Sequence, residues 1–375
     1  MKSVLLALAV LAALPGAVFS RQKSFDPNTP DGAMIGSIQK ESDPAHKQTM
    51  LEEFVKTYPD SSQAGWAWGQ LQTAYLQSQQ YDKAMEAGNK ALATDSGNTE
   101  VAYNNLKAAE GKNDPDAVLK WSAETSRDAR KEIEAFKPGT DDKARLDYAK
   151  QVDTYTEYSE YATSLKTTDS AKIISLVESI EQRNPQSPYL GKAYGRYLNA
   201  LQQNGQNDKA GTAAEQELQR DASNEDVLVF AASYNMQKNN QDKLLTYATK
   251  LSEVMQTKPK PDEVSDADWQ KKKETMLGLA YWMQGVSYNG QHQFAQADKA
   301  LRQGLPLVKT NNQVLPMVLF QLGVADFELG KASKNRAMIQ DALKFSQQSA
   351  ALKSPVQTDA QNNVKAISRE LGPRH

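Results

Sequence analysis

A chain of 375 residues that is 39% hydrophobic and 8% aromatic is poor in apolar side chains for one large globular core, whereas stacked repeats manage with small residues between their helices. Its 44 Lys and Arg against 46 Asp and Glu leave a formal charge of -2, so no broad basic field exists to condense on nucleic acid or an anionic membrane. The chain has no cysteine, which excludes disulfides, thiolate nucleophiles, zinc–thiolate sites and a lipidated cysteine at a signal junction.

Residues 1–20 read as a secretory signal peptide. Lys2 supplies the positive end, Val4 to Leu14 is apolar, Pro15-Gly16 breaks the run, and Val18 and Ser20 fill the positions a signal peptidase inspects. Cleavage is expected after Ser20, placing the mature chain in the periplasm or outside the cell. The run is too short for the ~30 Å of a bilayer core, and no later segment approaches that length, so no integral membrane span is expected. Residues 21–42, rich in Pro, Gly and polar side chains, are expected to form a flexible lead-in.

Helical repeats are predicted over 43–256. The first helix is capped by Asp43, opened by Pro44 and ended by Pro59, with Met50, Leu51, Phe54 and Val55 on one face. The clearest copy runs from Ala67 to Asn98, where a polar turn and Tyr81 precede Ala84, Ala87 and Ala91 at helical spacing. The stretch 99–185 is divergent: Ala117, Val118 and Trp121 take the slots of Ala84, Met85 and Gly88. After a turn at 137–142 comes a longer helix bearing Tyr148, Tyr155, Tyr158 and Tyr161. Its partner carries Ile173, Ile174, Leu176, Val177 and Ile180 and stops at Asn184-Pro185. Two further hairpins follow, one turning at Gly205 and one spanning 223–256. Pro259 and Pro261 make 257–265 an extended insertion, after which Ser265 or Asp266 can cap a resumed array over 266–353. Residues 354–375 read as a capping helix and tail, with Val364, Ile367 and Leu371 facing inward.

Three copies carry a recognisable pattern: Gln70-Leu71 with Tyr75, Tyr81, Ala84 and Ala91; Tyr281 with Gly285, Tyr288, Phe294 and Ala297; and Leu322-Gly323 with Phe327, Gly330 and Ala342. They resemble the tetratricopeptide repeat (TPR) family. K-T-Y-P-D-S and Q-R-N-P-Q-S-P-Y also resemble repeats of bacterial envelope-assembly lipoproteins, whose anchoring cysteine this chain lacks. The TPR resemblance implies an all-α, right-handed helical-hairpin solenoid of about seven hairpins. It also implies a protein or peptide partner on the concave face lined by the first helix of each hairpin. By position, that face would include Trp66, Thr73, Trp282, Val286, Asn289, Phe320 and Val324. Being mostly apolar or aromatic, these positions argue against a clamp for a C-terminal carboxylate and for hydrophobic contact with a helix or extended peptide. The competing reading is that the same side chains pack against neighbouring hairpins.

No catalytic constellation emerges. His46, His292 and His375 have no metal-ligand spacing, and G-V-S-Y-N-G at 285–290 misses the spacing of a nucleophile elbow around Ser287. Phosphate-cradling glycine motifs are absent. Asp262, Glu263, Asp266 and Asp268 lack the alternation and central glycine of a calcium loop, and helix capping accounts for them. The expectation is therefore a non-enzymatic exported scaffold with no cofactor and no metal. The alternative is a glycan- or ligand-binding component of envelope uptake or polysaccharide handling, with the tyrosines stacking on sugar rings.

Overall fold

The computed structural model describes residues 24–137, 143–262 and 264–372. The signal-type segment 1–20, most of the 137–142 turn, Glu263 and His375 lie outside the described residues. All regular structure among the described residues is helical, and the chain divides into two compact units, one up to Asn204 and one from Gly205.

In the first unit, hairpins form from α1 (Pro30–Lys40) and α2 (Pro44–Thr57), α3 (Ala64–Gln77) and α4 (Tyr81–Thr94), α5 (Thr99–Lys112) and α6 (Pro115–Ala135), and α7 (Lys143–Lys166) and α8 (Ser170–Arg183), followed by α9 (Leu190–Gln203). The second unit holds α10 (Asn207–Arg220), then α11 (Glu225–Gln237) with α12 (Gln241–Thr257), and α13 (Asp266–Gly290) with α14 (Phe294–Gly304). It ends with α15 (Leu315–Ser333) against α16 (Arg336–Ala350), covered by α17 (Gln357–Leu371). From α3 onward within the first unit, and from α11 within the second, each first helix also touches the next one: α3 to α5, α5 to α7 and α7 to α9, and likewise α11 to α13, α13 to α15 and α15 to α17. This is a TPR-like solenoid architecture. The boundary between the units falls at Gly205.

Local chemistry places the helix ends. Asp43, Asn98, Asp114, Asp169, Asn224 and Ser265 each accept a backbone N–H of the turn they open, satisfying donors that the helix leaves free. Five of the hairpin turns share one device: Gln79, Asn113, Asn239, His292 and Lys334 adopt left-handed φ between 53° and 59°. After each, a backbone N–H reaches back five residues: Gln80 to Tyr75, Asp114 to Ala109, Asn240 to Asn235, Gln293 to Tyr288 and Asn335 to Gly330, at 2.8–3.2 Å. These are Schellman closures built without glycine.

Residues 30–40 depart from the expected flexible lead-in. Thr29 caps α1 by accepting from Gly32 N–H, Pro30 fits its first turn, and Ile35 and Ile38 are fully buried in a core with Leu51, Phe54 and Leu71. The proline and glycine that suggest mobility are helix-opening residues here. A methyl on Gly32 would collide with the Asp26 carbonyl oxygen at 1.9 Å. At the other end, Ile367 of α17 is fully buried with Ile339 and Ala342. The acidic residues of the insertion are used locally: Asp266 pairs with Lys260 at 2.9 Å, and Asp268 exchanges hydrogen bonds with the capping Ser265.

Candidate partner-binding site

The positions singled out on the first helices divide into surface and core. Trp66 is half-buried and leans on the core of the α1–α4 hairpins, while the Thr73 hydroxyl donates to the Gly69 carbonyl one turn back on α3. On α13, Val286 is half-buried against the core, but Trp282 is only 9% exposed and shares that core with Leu301, Val318 and Leu322. Asn289 is spent internally as well: its Nδ2 donates to the Gln321 carbonyl at 3.0 Å and to Gln321 Oε1 at 2.8 Å, joining α13 to α15. Trp282 and Asn289 are thus corrected from contact residues to packing residues. Phe320 and Val324, one turn apart on α15, remain half-buried.

A larger aromatic surface lies in the divergent part of the first unit. Tyr148, Tyr155, Tyr158 and Tyr161 recur every three to seven residues and so share one face of α7. Two further rings join them, Tyr103 from α5 and Tyr189 from the residue before α9. Ring centroids follow one another at 6.5 Å (Tyr148–Tyr103), 5.5 Å (Tyr103–Tyr155), 5.7 Å (Tyr155–Tyr158), 5.8 Å (Tyr158–Tyr189) and 5.5 Å (Tyr189–Tyr161). The first four contacts are edge-on or tilted, the geometry that aromatic quadrupoles prefer, and only Tyr161–Tyr189 is stacked. Tyr155 is buried and the other five rings are half-buried, giving one aromatic wall across three consecutive hairpin levels. Tyr103 and Tyr189 escape a reading of α7 alone because their contacts are tertiary.

The electrostatics hold this wall rigid and chemically quiet. Tyr155 donates to Glu110 at 2.9 Å, and Lys107 donates to Tyr155 Oη at 2.7 Å and to Glu110 at 2.5 Å. Burial, then the Glu110 charge, pushes the Tyr155 hydroxyl far above its ordinary range, and burial does the same at Tyr103 and Tyr148. These phenols stay neutral. Elsewhere around α7, Glu160 is fully buried, bonded to Arg183 and accepting from Ser179 at 2.9 Å. Arg183 also reaches Thr156 at 2.7 Å, Asn184 donates to Glu157 at 2.9 Å, and Arg130 pairs with Asp153 at 3.0 Å. Desolvation raises the Glu160 carboxyl to about 7 against the opposing pull of Arg183. This polar clasp ties α7 to α6 and α8 where the alanine pattern is weak.

Ser287 is fully buried and donates to the Gln241 carbonyl at 2.7 Å, so its hydroxyl serves structure. No group of His, Asp and Glu suited to a metal ion occurs among the described residues. No described helix is long and apolar enough to cross a membrane.

No protein-family model matches the chain, and no curated protein matches it. Among solved structures it is similar to the C-terminal part of a TPR repeat-containing protein from Cytophaga hutchinsonii, at 14% identity over 75% of this chain and 95% of that one, with a TM-score of 0.35. It is also similar to a tetratricopeptide repeat protein from Parabacteroides merdae, at 10% identity over 90% of this chain and 98% of that one, TM-score 0.31. A third similar structure is the TPR domain of P58(IPK), at 10% identity over 92% of this chain and 98% of that one, TM-score 0.26.

Proposed function

We propose that the chain is a non-enzymatic, exported scaffold that holds a protein or peptide segment against the first-helix faces of its hairpins. The observation that carries this reading is the wall of six tyrosine rings spanning α5, α7 and the entry to α9. Tyrosine offers broad amphipathic contact area with little side-chain entropy to lose, and rings already fixed by their neighbours lose still less on binding. In the second unit, Phe320 and Val324 present a shorter apolar stripe of the same kind. A partner laid on such surfaces is recognised by side-chain burial, with tyrosine hydroxyls supplying polar register.

The test is recovery of crosslinked partners from the envelope of the producing organism, with the purified chain as bait beside a Tyr161→Ser/Tyr189→Ser variant. One dominant protein, lost in a variant whose circular dichroism is unchanged, supports the reading. Recovery of nothing, or of the same set by both baits, overturns it. Export rests on the Lys2-to-Ser20 pattern, and N-terminal sequencing of the native protein decides it: Arg21 as first residue supports cleavage, and retention of Met1 refutes it.

A further inference from the structure

Two carboxylates lie buried on one face of α7, where it meets the end of α8. Glu157 is 4% exposed, and Glu160, one turn on, is fully buried. Arg183 bonds Glu160 and donates to Thr156 at 2.7 Å, while Glu157 accepts from Asn184 Nδ2 at 2.9 Å. The other charges of the packed elements are engaged elsewhere. Arg130 of α6 pairs with Asp153 of α7 at 3.0 Å, Glu178 and Glu181 of α8 accept from Tyr197 and Tyr194 of α9, and Arg196 of α9 donates to the Thr167 carbonyl. Ionised together, Glu157 and Glu160 set two buried negative charges against the one guanidinium of Arg183, and a single proton restores neutrality. Burial is the main cause, and the Glu157 charge a lesser one, that holds the Glu160 carboxyl up at about 7 against the pull of Arg183. Ser179, which donates to Glu160 at 2.9 Å, has a hydroxyl that can turn to accept once the carboxyl is protonated.

These groups hold the turn that delivers Tyr189. Arg183 ends α8 and Asn184 opens the turn. Asn184 accepts from the Gln186 amide at 3.1 Å through Oδ1 and from the Ser187 amide at 3.0 Å through its carbonyl, and Ser187 Oγ accepts from the Tyr189 amide at 3.3 Å. At the end of the turn Tyr189 packs on Tyr158 and Tyr161. We infer that Glu157, Glu160 and Arg183 form a proton-operated latch, in which taking up one proton fastens the 184–189 turn, and Tyr189 with it, onto α7. Losing that proton frees the turn. The latch regulates the aromatic wall, so its consequence for a partner rests on the scaffold reading: an exported chain would complete the wall in mildly acidic surroundings and loosen it in neutral ones. The sign follows from linkage. Opening hydrates Glu160 and returns its carboxyl towards the ordinary 4.5, so between about 4.5 and 7 the closed turn holds a proton that the open one has lost. Opening should therefore become more frequent as pH rises through that window and level off above it.

The experiment is hydrogen exchange of the full chain, read by mass spectrometry from about pH 5 to 8 and corrected for the pH dependence of free-amide exchange. Protection of the Gln186, Ser187 and Tyr189 amides should fall by roughly three- to tenfold per pH unit up to about 7, tenfold being the ceiling for one proton, and then stay level. Amides of α3 and α4 should show no such trend. Glu160→Gln, which keeps the shape without the charge, should hold the turn at its acid-side protection throughout. Protection of the turn that does not vary with pH in the wild type, or variation that survives in Glu160→Gln, overturns the latch. Should that variant unfold, Glu157→Gln decides: with one carboxylate facing one guanidinium, the upper end of the window should move to lower pH, and an unmoved window rejects the assignment. The readout is the turn and not a bound partner, so failure here leaves the crosslinking test of the scaffold standing, and failure of that test leaves the latch standing.

Discussion

Gly88 tests whether close helix approach in these hairpins is a hard constraint. It sits mid-way along α4, opposite a buried pair in which Gln72 Nε2 donates to Asn105 Oδ1 and to the Val101 carbonyl, each at 2.9 Å. A Cβ at position 88 would stand 2.3 Å from both Asn105 Oδ1 and Gln72 Nε2. Both side chains are fully buried, so they can retreat only by breaking bonds into space already filled. Gly88→Ala should gain about 1 kcal/mol in helix propensity. Stranding buried amide groups costs about 1–3 kcal/mol each, which leaves a net destabilisation of about 3 kcal/mol. The neighbouring helix supplies the control. A methyl added at Gly69 of α3 would meet nothing within 4 Å, so Gly69→Ala should stabilise by about 0.5–1 kcal/mol. Urea unfolding followed by far-UV dichroism, with hydrogen exchange of α3–α5 peptides to localise the change, measures both. A Gly88→Ala protein as stable as the parent would refute the idea that this approach is set by van der Waals contact.

The same packing sets four further outcomes. Ile38→Ala should cost about 2–5 kcal/mol, and the α1 amides should resist exchange; a mobile 21–42 would show neither effect. Trp282→Ala should destabilise the second unit by about 3–5 kcal/mol in urea, and a loss below about 1 kcal/mol would return Trp282 to the surface. Glu160→Ala should cost about 3–5 kcal/mol by the same assay, because Arg183, with 14% of its side chain exposed, is left buried without its counter-charge. Asp326 makes the second unit pH-sensitive. Burial, with a hydrogen bond shared with Asp298, lifts its carboxyl from an ordinary 3.8 to about 7 despite Arg302 at 2.8 Å. Between those values the folded state holds a proton that the unfolded state has lost, so stability should fall as pH rises from about 4 to 7 and level off above. Glu160 contributes the same sign in the first unit, and Asp326→Asn should flatten the second unit's share of a Tm-against-pH curve.

Much of the architecture was readable because solenoid packing is local. Alanines such as Ala84, Ala87 and Ala91 mark buried helix faces at 3.6-residue spacing, and Asp43-Pro44 and Ser265 announce helix starts whose bonds the structure shows. What stayed hidden depended on tertiary placement or on exceptions to residue preference. Gln79, His292 and Lys334 hold left-handed turns where glycine is the usual signal, so this hairpin closure is silent in the sequence. Ile35 and Ile38 form too short an apolar pattern to outweigh nearby Pro30 and Gly32, yet α2 gives them a core to join. The family position of Trp282 pointed outward, but its indole is buried in the core that also holds Leu301, Val318 and Leu322. The tyrosines of α7 were visible as a run; their union with Tyr103 and Tyr189, and the Glu160–Arg183 clasp around the same helix, are contacts between elements.

The most direct test of the scaffold account is site-specific photocrosslinking in the producing organism. A benzophenone amino acid would be placed in turn at Tyr161 and Phe320 on first helices, and at the exposed Lys90 and Gln347 on second helices. The account predicts a discrete partner adduct from Tyr161, a weaker or equal one from Phe320, and none from Lys90 or Gln347. Adducts of equal strength from the second-helix positions, or none from Tyr161, would contradict it.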